Sequence, residues 1–371
     1  MEVKAREIVA PRGVYETLPS RVYTSPDLFS TEQERIFARS WQLAGHQSQT
    51  PNSGDFRVER VAGEDILIVR GDDGVLRAFY NICIHRGHAL VEGSGCRKLF
   101  TCPYHAWGYD TRGRLRVAPN ADEAGFDPTG KALKQVRLEL LNGLVYVNLD
   151  TDAPGLADTL GPTAREIQEY LPNLNTCVWA HRSEEMLQAN WKVVIENFNE
   201  CYHCAVVHKS FTEGIVDPAS YRIVDRGDSF LHCSLSQSND RRAYAYDHDA
   251  DEKSSMFASW LIWPLSAVQL YPGGVGMTFR WIPISADQTK VEVDWWLTDA
   301  TPTEMEAALI ENHATTTFSE DFPLVESVQR SMHSRGFDTG FILVDEQRSQ
   351  MSEHVIKGIR DRYLQEMESY L

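Results

Sequence analysis

Between residues 83 and 108 the chain reads CIHRGHALVEGSGCRKLFTCPYHAWG, and two matched groups lie within it. Cys83 and His85 form the first, Cys102 and His105 the second, and sixteen residues separate His85 from Cys102. Each group follows a strand-like run, LRAFYNIC and KLFTC, which places each on a loop leaving a strand. One thiolate and one imidazole per loop is a metal-ligand pattern. A zinc finger would more usually pair CxxC with HxxxH and seat the second pair on a helix.

The mixture of ligands is that of a Rieske [2Fe–2S] centre, in which two His replace two Cys on one iron. Cys83 and Cys102 then bind one iron, and His85 and His105 the other. Neutral imidazoles donate less charge than thiolates, which raises the potential to roughly −150 to +300 mV. Arg86, Gly87, Tyr104 and Trp107 stand next to the ligands as outer contacts. His88 and Cys96 lack partners at matching spacing and read as outer or surface positions.

Around this core, from about residue 54 to 150, short β-branched and aromatic runs such as DFRVERV, DILIVRG and GLVYVNLD alternate with Gly, Asp and Asn turn signals. This predicts a small all-β domain. Upstream, Thr31 with Glu34 three residues later reads as a capping box that opens an early helix. Downstream, residues 188–208 turn helical, 220–300 return to strands such as FLHCSLS and KVEVDWWL, and two helical stretches close the chain. The second half reads as α+β, with helices on one side of an antiparallel sheet.

The helical stretch NWKVVIENFNECYHCAVVH, residues 190–208, holds a second constellation. Apolar residues at 191, 194, 195, 198, 202 and 206 follow a helical period. On such a helix Glu200 and His203 share a face, and His208 follows at its end. Cys201 and Cys204 are rotated away by roughly 100° and read as core packing; no second CxxC supports zinc or thioredoxin chemistry. Two His near a carboxylate point to the 2-His-1-carboxylate site of non-haem Fe(II) oxygenases, whose third ligand need not be local.

Composition narrows the partners. The chain has 371 residues, 42% of them hydrophobic and 24% charged, and a formal charge of −17, which argues against nucleic acid. MEVKAREIVAPRG has no apolar signal region, and no run of about 18 apolar residues occurs, so a cytoplasmic protein without a membrane span is expected. Seven scattered cysteines fit reduced thiols and metal ligands better than a disulfide framework. No G-x-G-x-x-G follows a strand, so flavin or nicotinamide must belong to a partner.

A Rieske pattern followed by NWKxxxENxxExYHxxxxH closely resembles the oxygenase component of Rieske non-haem iron oxygenases, from about Leu18 to the end. The resemblance implies a helical N-terminal segment (1–39) packed on the catalytic domain, a Rieske domain (40–155) and a helix-grip catalytic domain (156–371). It implies Fe(II) held by His203, His208 and an aspartate, best matched by Asp321 in SEDFPLVESVQRS. In the family an acidic residue three before the first His bridges to the Rieske histidine of a neighbouring subunit. That residue is usually Asp and here is Glu200, as in the subgroup acting on quaternary ammonium compounds such as carnitine and glycine betaine. By that analogy Glu200 is an electron or proton bridge and not an iron ligand, with Asn197 and Asn199 nearby. The bridge implies a homotrimer, and the reductase is a separate flavin and iron–sulfur protein.

Aromatic residues crowd positions 256–296, and Trp260, Trp263, Tyr271 and Trp281 are candidate walls for a cationic substrate by cation–π attraction. Each of them is also an ordinary core candidate. The expected reaction is O₂-dependent hydroxylation of a carbon next to the quaternary nitrogen, followed by C–N cleavage. An aromatic-ring hydroxylase or O-demethylase of the same family is the alternative, and a Rieske electron carrier with a structural second domain is the non-enzymatic one.

Overall fold

A short strand β1 (Gly13–Glu16) and helix α1 (Ser20–Thr24) lead into α2 (Pro26–Arg35). The Ser25 side chain accepts from the Leu28 N–H at 3.3 Å, and Pro26 supplies a helix-ready φ at the first position. The early helix therefore starts before the predicted Thr31 cap. Thr31 lies inside it and donates its hydroxyl to the Asp27 carbonyl at 3.0 Å.

The computed structural model describes residues 8–237 and 255–371, in two units: Phe37–Leu156, and Met1–Ile36 together with Ala157–Leu371. The first is all-β. It contains β2 (Gln42–His46), β3 (Asp55–Val61), β4 (Glu64–Arg70), β5 (Leu76–Tyr80), β6 (Ser94–Cys96), β7 (Leu99–Thr101), β8 (Gly108–Asp110), β9 (Leu115–Val117), β10 (Gln135–Leu141) and β11 (Leu144–Asn148). Seven strands form one sheet in the order β2-β11-β10-β5-β4-β3-β6, and β7-β8-β9 form a second. Phe56, Leu67, Phe79, Phe100 and Tyr109 build a core that also encloses Cys83 and Cys102.

The second unit continues with α3 (Leu156–Leu160), α4 (Pro162–Tyr170), β12 (Val178–Leu187), α5 (Trp191–Phe198), α6 (Cys204–Val207) and α7 (Lys209–Gly214). Then follow β13 (Arg222–Asp225), β14 (Ser229–Ser234), β15 (Phe257–Ile262), β16 (Ser266–Tyr271), β17 (Val275–Ser285) and β18 (Gln288–Leu297). The chain closes with α8 (Glu304–His313), α9 (Ser319–Met332), β19 (Phe341–Val344) and α10 (His354–Met367). β12 to β18 form an antiparallel sheet in the order β12-β18-β17-β16-β15-β14-β13, the expected α+β architecture. β19, unforeseen in the sequence, pairs with β1.

Side chains alternate across this sheet. On β15, Phe257 and Ser259 face the cavity described below, while Trp260 points to the opposite face, where it meets Tyr170 of α4 at 5.4 Å between ring centroids. Helices thus pack on both faces and not on one.

The opening segment is fastened to the motif helix. Glu32 of α2 accepts from Trp191 Nε1 at 2.7 Å, Lys192 Nζ at 2.6 Å and Tyr363 Oη at 2.8 Å, all fully buried. A buried ion pair is tolerated only when its remaining capacity is satisfied, and three donors on one carboxylate meet that condition. They hold α5, α2 and α10 in fixed register.

Candidate metal centres and active site

The two Rieske loops close alike. Gly87 N–H donates to the Cys83 carbonyl and Ala106 N–H to the Cys102 carbonyl, each at 3.0 Å, with φ of +76° and +59°. Glycine takes this left-handed turn freely, whereas Ala106 is held in it by its surroundings. The turns bring the His85 and His105 rings to 4.6 Å between centroids, and both thiols are buried. His105 Nδ1 is buried without a hydrogen-bond partner, as expected of a nitrogen kept for a metal. Two thiols and two imidazoles on facing loops fit a [2Fe–2S] cluster.

Of the outer contacts, Trp107 stacks on His85 at 4.7 Å and 3° between planes, and Tyr104 lies against His105 at 3.7 Å. Tyr109 was missed. Its hydroxyl sits 3.2 Å from Cys83 Sγ and accepts the Ile84 N–H at 3.1 Å. Cys96 is exposed, in keeping with a surface position.

In the catalytic unit the predicted continuous helix is broken. α5 ends at Phe198, and Asn199 turns its side chain back to donate to the Ile195 carbonyl at 2.7 Å. An Asn side chain that competes for backbone in this way ends a helix. Glu200 to His203 therefore form a turn, α6 follows, and His208 sits between α6 and α7. The turn draws the Cα atoms of Cys201 and Cys204 to 4.8 Å, and the two residues form a buried disulfide, so the expectation of reduced thiols fails here.

The break does not scatter the candidate ligands. His203 Nε2 lies 3.1 Å from His208 Nε2, and Asp321 Oδ1 on α9 lies 3.0 Å from His208 Nε2 and 3.5 Å from His203 Nε2. Among the described residues these three form a cluster whose ligand atoms all fall within 4.8 Å of one another. Two imidazoles and one carboxylate converging on a point suit Fe(II), with coordination positions left open. A π-helical turn, Ala314–Phe318, links α8 to α9, the helix that carries Asp321.

Carboxylates hold the outer ring nitrogens. Glu200 Oε1 pairs with His203 Nδ1, and Glu320 Oε2 with His208 Nδ1 at 2.8 Å. Each such contact fixes the tautomer that leaves Nε2 free for a metal. Burial would lower the His208 pKa, but Asp321 and Glu320 outweigh it and the net shift is upward.

Two family models match the chain. The Rieske [2Fe-2S] domain covers residues 40–137, and the ring hydroxylating alpha subunit (catalytic domain) covers 166–369. The chain belongs to the Rieske oxygenases, the family of the ring hydroxylating alpha subunit. This oxygenase is 35% identical, over 96% of both chains, to the carnitine monooxygenase oxygenase subunit of Acinetobacter pittii. It is 29% identical, over 87% of its own length and 73% of the other's, to the chloroplastic choline monooxygenase of Amaranthus tricolor. Its structure superposes with a TM-score of 0.85 on the quaternary ammonium Rieske monooxygenase CntA in complex with L-carnitine, at 34% identity, covering 95% of this chain and 96% of that one. It is thus the oxygenase component of its system, an enzyme that carries a [2Fe–2S] cluster and a non-haem iron.

A cavity of about 110 Å³ opens onto the three converging residues of this oxygenase. Tyr271 and Trp281 line it as expected, and so do Asn197 and Glu200. Trp260 and Trp263 do not. Strand alternation sends Trp260 to the other face, where its Nε1 donates to Glu166 at 3.2 Å, and Trp263 packs on Trp191 at 5.8 Å. The buried Asn199 is absent from the lining and serves as the helix terminator.

The lining also includes Phe257, Phe279, His232 and His313, none of which motif spacing marks. Burial pushes His232 and His313 down to about 3, so both rings are neutral at pH 7. The alternation of β15 to β17 was the available signal for the two phenylalanines. Nothing local distinguishes the histidines.

Proposed function

We propose that this oxygenase hydroxylates a carbon next to the nitrogen of a quaternary ammonium compound of the carnitine and betaine type, which leads to C–N cleavage. One observation carries the reading: Tyr271 and Trp281 wall the cavity onto which His203, His208, Asp321 and Glu200 open. Aromatic faces attract a cation without offering it a proton or a covalent partner. The relatives named for carnitine and choline support the same substrate class.

In this reading Cys83, His85, Cys102 and His105 hold the cluster, and His203, His208 and Asp321 hold the iron. When bound, the iron supplies O₂ activation; one oxygen atom enters the substrate and the other leaves as water, at the expense of two electrons from a separate flavin and iron–sulfur reductase. The protein's own groups do the rest. Tyr271 and Trp281 hold the cation and exclude water. Glu200, joined to the outer nitrogen of His203, is where reducing equivalents and protons enter from a neighbouring subunit's Rieske domain. Inter-subunit electron transfer has been described for a quaternary ammonium Rieske monooxygenase, which supports an oligomer here, and we read it as a homotrimer. No helix among the described residues is long and apolar enough to cross a membrane, and we place the enzyme in the cytoplasm, without a nucleic-acid or membrane partner.

The test is product formation. With reductase, O₂ and a panel of betaines and aromatic acids, the native enzyme should release formaldehyde or trimethylamine from a quaternary ammonium compound. His203→Ala should keep the cluster's colour and lose the product. Turnover of aromatic acids alone would move the enzyme to the ring-hydroxylating branch, and full turnover by His203→Ala would remove the assigned site.

A further inference from the structure

The cavity floor carries a polar row that neither metal site uses. The register of the sheet sets His232 opposite Ser259, and Ser259 opposite Gln269, so the three lie side by side across β14, β15 and β16. Directly opposed residues of an antiparallel pair share a face. All three line the cavity, and their exposures are 4%, 3% and 5%. Aromatic groups flank the row, with Phe257 and Tyr271 at 5.9 Å between centroids on one side.

The hydrogen bonding of this row is incomplete. Ser259 Oγ is buried and has no partner. His232 Nδ1 lies 3.0 Å from the Tyr221 hydroxyl, a contact in which either group can donate. The ring also meets the Asn199 backbone, a hydrogen bond that raises its pKa against burial, so His232 is partnered on both sides of the row. Gln269 Nε2 reaches only as far as the Met277 thioether, a weak acceptor, at 3.7 Å. Buried donors left in this state are unfavourable, and adjacent ones on a cavity wall call for an acceptor from outside the chain.

We infer that the Ser259–His232–Gln269 row is the subsite for the oxygen-bearing arm of the substrate, a hydroxyl or carboxylate oxygen that accepts from Ser259 Oγ, with Gln269 Nε2 beside it. The inference rests on the quaternary ammonium reading above. Tyr271 and Trp281 then hold the charged end while the row holds the oxygen end. Ser259 is in this way a specificity residue that distinguishes substrates with an oxygen from bare tetraalkylammonium ions.

The experiment is calorimetric binding to the native holoenzyme, to Ser259→Ala and to Ser259→Thr, under anaerobic conditions. The probes are L-carnitine, γ-butyrobetaine, choline and tetramethylammonium, which carry both oxygen functions, a carboxylate, a hydroxyl and none. Ser259→Ala should weaken at least one oxygen-bearing probe about fivefold, the loss of one net hydrogen bond, and leave tetramethylammonium unchanged. Ser259→Thr should restore the affinity. Loss with γ-butyrobetaine but not choline assigns the subsite to a carboxylate, and the reverse assigns it to a hydroxyl. Equal weakening of all four probes, or of none, overturns the subsite while the functional reading stands. If native enzyme binds none of the four, the functional reading itself fails and the subsite falls with it.

Discussion

Glu320 Oε2 lies 2.8 Å from His208 Nδ1, on the side of the ring away from the Nε2 that faces Asp321. Glu320 and Asp321 are adjacent in the first turn of α9, so one turn of helix supplies both the carboxylate proposed for the iron and the support of the imidazole proposed beside it. Loss of an outer carboxylate typically weakens metal affinity 10- to 100-fold. Glu320→Ala is therefore expected to lower the affinity for Fe(II) by about that factor, while the visible spectrum of the Rieske cluster is unchanged. Metal analysis after dialysis against graded chelator measures it.

Glu200 is expected to behave differently, although it too supports a ring nitrogen. Glu200→Gln keeps the side-chain length and a hydrogen-bonding oxygen but cannot carry the carboxylate's charge or shuttle its proton. Both metals should remain bound, and oxidation of the reduced cluster in a single turnover should slow by roughly 10²- to 10⁴-fold, the range of one lost acid–base contribution. Unchanged stopped-flow kinetics would take Glu200 out of that role.

These two carboxylates show what the sequence makes legible. Glu200 stands three residues before His203, and local spacing finds it even though the helix assumed for it is interrupted at Asn199. Cys83, His85, Cys102 and His105 are legible for the same reason, because each loop carries a complete pair. Glu320 and Tyr109 make their contacts across 112 and 26 residues, and His232 and Ser259 meet only through strand register, which no short window of sequence contains. The aromatic residues fall between these cases. Composition brings Trp260, Trp263, Tyr271 and Trp281 forward together, and only the phase of each strand separates the two in the cavity from the two packed elsewhere.

That phase yields a paired test. Trp281 lines the cavity and Trp260 does not. Trp281→Leu is expected to weaken binding of a quaternary ammonium probe roughly 3- to 30-fold, the value of about 0.5–2 kcal/mol for one cation–π contact. Trp260→Leu should leave binding intact and destabilise the fold by about 2–4 kcal/mol as a core truncation. Titration calorimetry and thermal denaturation separate the two.

Glu196, in the same motif, predicts a pH dependence of stability. Burial raises its pKa to about 7, against the opposing hydrogen bond from Tyr23 at 2.9 Å and the nearby Lys192. The folded state then holds a proton that the unfolded chain releases near its ordinary carboxylate pKa of about 4.3. Stability from this group is complete below that value and is lost as pH rises toward 7. The expected loss across this window is about 2 kcal/mol, discounted for partial exposure. Glu196→Gln should flatten the window in denaturation midpoints measured from pH 4.5 to 8, and an unaltered slope would contradict the assignment.

The most direct test of the central claim is electron paramagnetic resonance of the anaerobic ferrous enzyme treated with nitric oxide, with and without L-carnitine, glycine betaine, choline and a set of aromatic acids. The nitrosyl signal reports the mononuclear iron alone and responds to what is bound next to it. A sharpened or shifted signal with a quaternary ammonium compound, abolished in His203→Ala, is the predicted result. A signal that responds only to aromatic acids would contradict the account.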